Sequence, residues 1–334
     1  MVGNASVTVI GEALVDLVPA GDSSNSGLWR AAPGGSPANV AVGLARLGVP
    51  TRMGVRLSAD VFGRALRRHL ADNGVDLSAA ISAPEASSLA VVSVAPDGGA
   101  EYDFRVHGTA DWQWTDPELE QLLPDPEGGP VAVHTGSLAA ILPPGADPLR
   151  RLIGSARRTA TVSYDPNCRP LLMGDLATAR DRVADLVGLA DVVKASEDDL
   201  RWLHPDRPVA EIAAEWSTTG PALVVVTLGA QGALAAGPAG IVQVPGRAVR
   251  VVDTVGAGDS FMAALLAGMA ARDLLGADRR SALRSLGIEQ IERLLGEAVV
   301  ASGLTCTRAG ADPPTAAELA AAMQEAPGPD WSVR

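Results

Sequence analysis

One stretch of the 334-residue chain combines free backbone donors with a lone carboxylate: Asp253-Thr254-Val255-Gly256-Ala257-Gly258-Asp259-Ser260-Phe261. It follows the apolar run 249–252 and precedes the apolar segment 262–266, which reads as a helix. A loop of small residues that opens a helix leaves N–H groups unpaired at the positive end of the helix dipole. Such a cluster holds anions, phosphate above all. A carboxylate placed there, Asp259, is electrostatically wasteful unless it works on the bound anion's reaction. Taking the proton of an attacking hydroxyl is work of that kind. A simple helix N-cap is the plainer role for Asp259. A dinucleotide loop needs glycine where Phe261 stands, and a Walker A loop needs a Gly-Lys-Ser/Thr that the chain lacks.

The elements around this loop follow from the hydrophobic pattern. Residues 7–10 form a short apolar run ended by Gly11 and read as a buried strand. A polar loop occupies residues 21–27. Ser36-Pro37 marks a helix start, with Ser36 as N-cap and Pro37 first in the helix; Val40, Leu44 and Leu47 recur at helical spacing and Gly48 stops it. A second helix is predicted over 61–73. Residues 88–95 and 101–106 read as a hairpin turning at Pro96-Asp97-Gly98-Gly99. From residue 131 the pattern is regular: strands at 131–134, 162–164, 191–193 and 223–227 with helical stretches between, 177–189 among them. That alternation predicts an α/β fold, a mostly parallel sheet with helices on both faces. A late hairpin at 233–236 and 241–244 turns at Gly237-Pro238. The rest is largely helical after Gly258, broken at Gly276 and Gly287, with a loose tail over 326–334.

Composition narrows the partners. Thirty-nine Asp and Glu against 27 Lys and Arg give a net charge of −12, and no basic run offsets it, so nucleic acid is not an expected partner. Cys168 and Cys306 stand far apart in no CxxC pair and read as two reduced thiols. The N-terminus has no basic region and carries Glu12 and Asp16 in its apolar stretch, which argues for a first strand rather than a signal peptide. No apolar run is long enough for a membrane span, so the expected location is the cytoplasm. His69, His107, His134 and His204 lack metal-ligand spacing.

The segment DTVGAGDSFMAALL, from Asp253 on, resembles the C-terminal signature of the ribokinase-like, or PfkB, carbohydrate kinases at every position. PGGSPANVAVGLARLG, residues 33–48, resembles that family's sugar-side signature. The resemblance implies a three-layer ribokinase-like domain over residues 1–325, with a small β-sheet lid inserted from about 13–33 and 87–112. It implies an enzyme that moves the γ-phosphate of ATP to a sugar hydroxyl, with Asp259 as base and the amides of Gly256, Ala257 and Gly258 as anion hole. Asp16, Gly34, Gly35, Asn39, Asn167 and Arg169 would meet the sugar, joined by Arg105 beside His107 in the predicted lid. Without the motif, Asp16 is a solvated strand end and Gly34-Gly35 a turn.

Lys194, Ser196, Thr227, Gly229, Gly232 and Gly258 would meet the nucleotide. The family's N-x-x-E magnesium motif reads Ser196-x-x-Asp199 here, a departure that leaves Asp199 as the candidate Mg2+ residue and a helix cap as the plainer role. A monovalent cation, K+ in some members, would take the Asp253 side chain and the carbonyls of Val255, Thr305, Arg308 and Gly310; Pro314 stands where some relatives offer a serine oxygen. Two lids packed together would make a homodimer. Gly11-Glu12-Ala13-Leu14-Val15-Asp16, Gly108-Thr109-Ala110-Asp111 and Asp165-Pro166-Asn167-Cys168-Arg169-Pro170 most resemble the fructokinase branch. Fructose is therefore the expected sugar, with 2-keto-3-deoxygluconate or a nucleoside as alternatives on the same fold. A non-catalytic sugar- or nucleotide-binding protein is the remote alternative, and a dehydrogenase a more distant one.

Overall fold

Short aliphatic runs bounded by glycine, proline or charge become the strands of a computed structural model that describes residues 6–20, 28–94, 100–122 and 129–325. The predicted loop 21–27, the hairpin turn 96–99 and the tail 326–334 fall outside these described residues. Strand β1 (Val7–Ile10) leads into β2 (Leu14–Pro19) and β3 (Trp29–Gly34), and helix α1 (Ser36–Arg46) follows. Then come β4 (Thr51–Gly54), β5 (Arg56–Ser58), α2 (Val61–Asp72), β6 (Ile81–Ala83), β7 (Leu89–Val94), β8 (Ala100–Arg105) and α3 (Asp116–Glu120). Alternation sets in with β9 (Ala132–Gly136), α4 (Ala146–Ala156), β10 (Thr161–Asp165), α5 (Leu176–Leu189), β11 (Val192–Ser196), α6 (Glu197–Leu203), α7 (Val209–Thr219) and β12 (Leu223–Thr227). The chain closes with β13 (Ala233–Gly237), β14 (Gly240–Val244), α8 (Ala257–Ala271), α9 (Arg280–Arg284), α10 (Ile288–Cys306) and α11 (Ala316–Glu325).

The large sheet runs β14-β13-β12-β11-β10-β9-β1-β4, parallel from β12 to β4 with β13 and β14 antiparallel at one edge. Both faces are covered, as a parallel sheet requires. Val7, Val9, Ala132, Val192 and Val225 pack under α1, α8 and α10 on one side. Val133, Val162, Val193, Val224 and Val226 pack under α4, α5 and α7 on the other. A separate four-stranded sheet has the order β3-β2-β7-β8, and β5 and β6 pair alone. Chain order reverses between β1 and β9, and ligands of open α/β sheets bind outside the carboxyl ends of the strands at such a point.

Three expectations change. Gly35, not Ser36, takes the N-cap position of α1, and Ser36 and Pro37 fill its first turn. Strands β4, β5 and β6 escaped the sequence reading because each has only three or four residues and includes arginine, serine or glycine. Val106 lies beyond β8 and is buried.

Candidate active site

Helix α8 begins at Gly256, which sits at φ 75° against Ala311; a Cβ there would come 2.6 Å from the Ala311 methyl. Gly258 is glycine for a different reason, since a Cβ would lie 2.9 Å from Lys194 Nζ. An ammonium thus stands beside the amides at the mouth of α8. The Ala257 amide already donates to the Thr254 carbonyl at 3.2 Å, while those of Gly256 and Gly258 make no hydrogen bond among the described residues. Free backbone donors at this end of α8 are therefore those of Gly256 and Gly258 rather than Ala257, with Lys194 beside them.

Asp259, in the first turn of α8, is 9% exposed. Its Oδ1 accepts from Ser36 Oγ at 2.6 Å and its Oδ2 from Asn39 Nδ2 at 2.8 Å. The carboxylate is thus not an N-cap; it faces the first turn of α1. Asp16 approaches from β2, lying over Gly34, where a Cβ would be 2.2 Å from its Oδ2. Burial pushes the Asp16 carboxyl up to about 6, the Arg169 guanidinium draws it down, and the Asp259 charge adds to the rise. Asp16, Gly34, Gly35, Asn39, Asp259 and Arg169 therefore converge on one cleft. Asn167, at φ 36°, accepts from Arg169 Nη1 at 2.9 Å and points its amide at Ser137 Oγ, 3.5 Å away. Ser137 is also at positive φ, 56°, and two such non-glycine residues at adjacent strand ends mark a built site rather than a relaxed loop.

Arg105 is not part of this group. In the small sheet Asp16 pairs with Ala90 and Ala90 with Phe104, so Arg105 falls on the opposite face from Asp16. Its side chain is 68% exposed and paired with Asp103 at 2.6 Å.

Behind the α8 amides, Lys194 Nζ meets Asp165 Oδ2 at 2.8 Å, both side chains buried. Burial works against the ammonium, yet Asp165, Asp199 and Asp259 together hold the Lys194 pKa above its ordinary value. Burial raises Asp165 to about 6, with Lys194 opposing the rise, so the pair is ionised at neutral pH. Ser196 and Asp199 form the capping box of α6: Ser196 Oγ accepts from the Asp199 amide at 3.0 Å, and Asp199 Oδ2 accepts from the Ser196 amide at 2.8 Å. Asp199 Oδ1 accepts from the Cys168 amide at 2.6 Å. Asp199 Oδ2 thus accepts twice from Ser196 and Oδ1 once from Cys168, which fixes the carboxylate in the α6 cap and leaves one acceptor site on Oδ1. Thr227 ends β12 level with Ser196, and Gly229 follows at φ 55° with open space where a Cβ would stand. Gly232 is glycine because a Cβ would lie 2.2 Å from the Val244 carbonyl, a packing demand of the edge hairpin.

Asp253 ties its loop together: Oδ1 accepts from the Val255 amide at 3.0 Å and Oδ2 from the Gly310 amide at 2.8 Å. The Thr305 carbonyl accepts from the Arg308 amide at 3.0 Å and the Gly310 carbonyl from the Asp312 amide at 2.9 Å. The donor set is oxygen alone, which fits a hard cation. No cluster of three or more His, Cys, Asp or Glu that could hold a metal occurs among the described residues.

Sequence reasoning gave no role to Ser36 beyond capping, nor to Asp165, Glu12 or Asp111. Asp165 and Asp111 stood only as letters in matching segments, and Glu12 besides as a charge that argued against a signal peptide. Glu12, buried, accepts from the Ala139 amide at 3.1 Å and its carboxyl is pushed up to about 7 by burial. Asp111, also buried, accepts from the Ala13 amide at 2.9 Å and from Ser88 Oγ at 2.5 Å, and so joins three chain segments between the two sheets.

Residues 4–317 match the pfkB family carbohydrate kinases. The chain is 36% identical over 274 residues to the fructokinase of Klebsiella pneumoniae, covering 81% of this chain and 86% of that one. Its fold is similar to the crystal structure of a fructokinase with bound ATP from Xylella fastidiosa, with TM-score 0.83, 26% identity and coverage of 96% and 98% of the two chains. It is likewise similar to a double-mutant fructokinase of Vibrio cholerae O395 in its fructose, ADP and potassium ion bound form, with TM-score 0.78, 30% identity and coverage of 95% and 97%.

Proposed function

The chain belongs to the pfkB family of carbohydrate kinases and is a sugar kinase; from that premise we propose that it phosphorylates a primary hydroxyl of fructose, with Asp259 as the general base. The observation that carries the reading is the placement of Asp259. It lies between the sugar-side residues Asp16, Gly34 and Asn39 and the anion-side group of Gly256, Gly258 and Lys194. Asp259 takes the proton of the acceptor hydroxyl as its oxygen bonds to the γ-phosphorus and the bond to the ADP oxygen breaks. The amides of Gly256 and Gly258 and the Lys194 ammonium stabilise the charge on the transferred group.

Mg2+ accompanies ATP and neutralises its phosphates. Asp199 holds the backbone at Cys168 and Ser196 and would add its charge to the surroundings of the ion. K+ fits the oxygen set around Asp253, where it would steady the loop that leads into α8. Thr227 and Gly229 line the nucleotide side.

The small sheet acts as the lid, which limits ATP hydrolysis by excluding water. Its Trp29, on the face away from Asp16, is 52% exposed, and Val61 at the start of α2 is 62% exposed. The exposed Trp29 on the outer face of the lid suits the lid of a second copy and supports a homodimer. No helix among the described residues is long and apolar enough to cross a membrane. Use of ATP fits work in the cytoplasm.

Arg169 at the cleft rim supports a second reading, a sugar acid such as 2-keto-3-deoxygluconate. A panel of fructose, other hexoses, 2-keto-3-deoxygluconate and nucleosides, assayed with ATP and Mg2+ for ADP release, decides between them. Fructose is expected to give the highest kcat/KM. A sugar acid or nucleoside that exceeds it by roughly tenfold, the scale a few hydrogen bonds set, refutes the fructose assignment.

A further inference from the structure

The hydroxyl of Ser36 is built into the reaction centre by constraints that have nothing to do with capping a helix. Gly35 holds the cap position at φ 100°, where a Cβ would come 2.7 Å from the Glu12 carbonyl. Pro37 is wedged against Gly11, whose Cβ would lie 2.4 Å from the proline Cγ. Nearly two turns on from Ser36, Gly43 of α1 meets Ala263 of α8 so closely that a Cβ would lie 2.6 Å from the alanine methyl. These three close approaches fix the first turn of α1 against the end of β1 and against α8. Ser36, itself buried, then reaches 223 residues along the chain to donate to Asp259 Oδ1 at 2.6 Å.

We propose that Ser36 is a positioning residue for phosphoryl transfer: it orients the carboxylate of the base. The inference rests on the assignment of Asp259 as base. A carboxylate turns easily about its last side-chain bond. Asn39 alone restrains one oxygen and leaves that rotation open. With Ser36 on Oδ1 and Asn39 on Oδ2, one residue per oxygen, the carboxylate plane is set before sugar arrives. Each oxygen keeps a second acceptor site, and one of these takes the acceptor hydroxyl's proton. Ser36 acts through Asp259, so its loss slows turnover more than it weakens sugar binding. A residue that held the sugar would show the opposite split.

The test uses the full chain with saturating ATP and the best sugar of the panel. It compares Ser36→Ala, Ser36→Thr and Asp259→Asn by kcat, sugar KM and melting temperature. Ser36→Ala is expected to lower kcat about tenfold, the effect of one hydrogen bond to a charged group, with KM changed less than about threefold. Ser36→Thr, which keeps the hydroxyl, is expected to recover at least roughly half of kcat. The proposal is overturned if Ser36→Ala keeps kcat within about twofold, if the loss lies in KM, or if a normally melting Ser36→Thr is as slow as Ser36→Ala. Asp259→Asn separates the two layers. If it keeps more than roughly a tenth of turnover, the base assignment fails and this inference with it. If it is inactive while Ser36→Ala is normal, only the role of Ser36 fails.

Discussion

Replacing Glu12 by Gln is expected to make the protein more stable at alkaline pH, although it touches a fully buried, hydrogen-bonded residue. Glu12 is 1% exposed and its carboxyl is pushed from 4.5 up to about 7, chiefly by burial, against the hydrogen bonds from Ser137 and Ala139. The folded chain thus binds this proton more tightly than the unfolded chain does. The resulting stabilisation is fully present below pH 4.5 and is lost as pH rises through about 7. Its size is at most roughly 3.5 kcal/mol, at about 1.4 kcal/mol for each tenfold difference in proton affinity. Glutamine is neutral at every pH and its amide oxygen still accepts from the Ala139 amide. Asp16, Asp111 and Asp165 are also raised to about 6, so the wild type loses stability on several counts as pH rises to about 7 and changes little beyond; between pH 5 and 9 the difference between the two chains isolates Glu12. Urea midpoints measured at intervals across that range provide the assay. The variant's curve is expected to be flatter, and at pH 8.5 to lie above the wild type by ~1–3 kcal/mol. Parallel curves, or a variant less stable at pH 8.5, refute the claim that Glu12 carries a buried charge there.

Lys194→Met leaves Asp165 buried without its ion-pair partner, and is expected to cost about 3–5 kcal/mol of stability together with most of the turnover. The double variant Lys194→Met, Asp165→Asn is expected to regain most of the stability in denaturant titration but none of the activity; recovery of both would show that Lys194 serves only the fold. Arg105→Ala is expected to change kcat/KM less than about twofold, because its side chain is exposed on the far face of the small sheet. Arg169→Ala is expected to raise the KM for a sugar acid far more than that for a neutral sugar, and equal effects on the two would remove Arg169 from the choice between them.

Local chemistry made part of this protein legible in its sequence. The loop before α8 declares itself through glycines whose two reasons, a left-handed cap at Gly256 and a lysine against Gly258, both reduce to having no room for a Cβ. The central parallel strands, β1 and β9 to β12, were visible as aliphatic runs because each is buried on both faces. Ser196 and Asp199 carried the spacing of a capping box and form one. What stayed hidden depends on which distant segments become neighbours. Asp165 and Lys194 meet because β10 and β11 are adjacent in the sheet, an order no single strand encodes. Arg105 lost its expected place by a register of one residue, since alternate side chains of a strand point to opposite faces. Ser36 looked like a cap because serine before proline usually is one; the glycine ahead of it took that position and freed the hydroxyl.

The arrangement of charge bears on which sugar the cleft accepts. Asp16 and Asp259 both face the acceptor side, and each raises the cost of placing negative charge there. Arg169 is the cation that offsets Asp16, but it lies at the exposed rim and spends its guanidinium on the oxygens of Asn167 and Cys168. The second cation, Lys194, is buried on the phosphate side and neutralised by Asp165. A neutral polyol can donate hydroxyl protons to the two carboxylates and adds no charge. A sugar carboxylate must draw Arg169 away from three backbone and side-chain oxygens and still lie near Asp16. On the proposed reading, with Asp259 as base and Asp16 beside the sugar, the electrostatics of the cleft favour a neutral hexose over its acid.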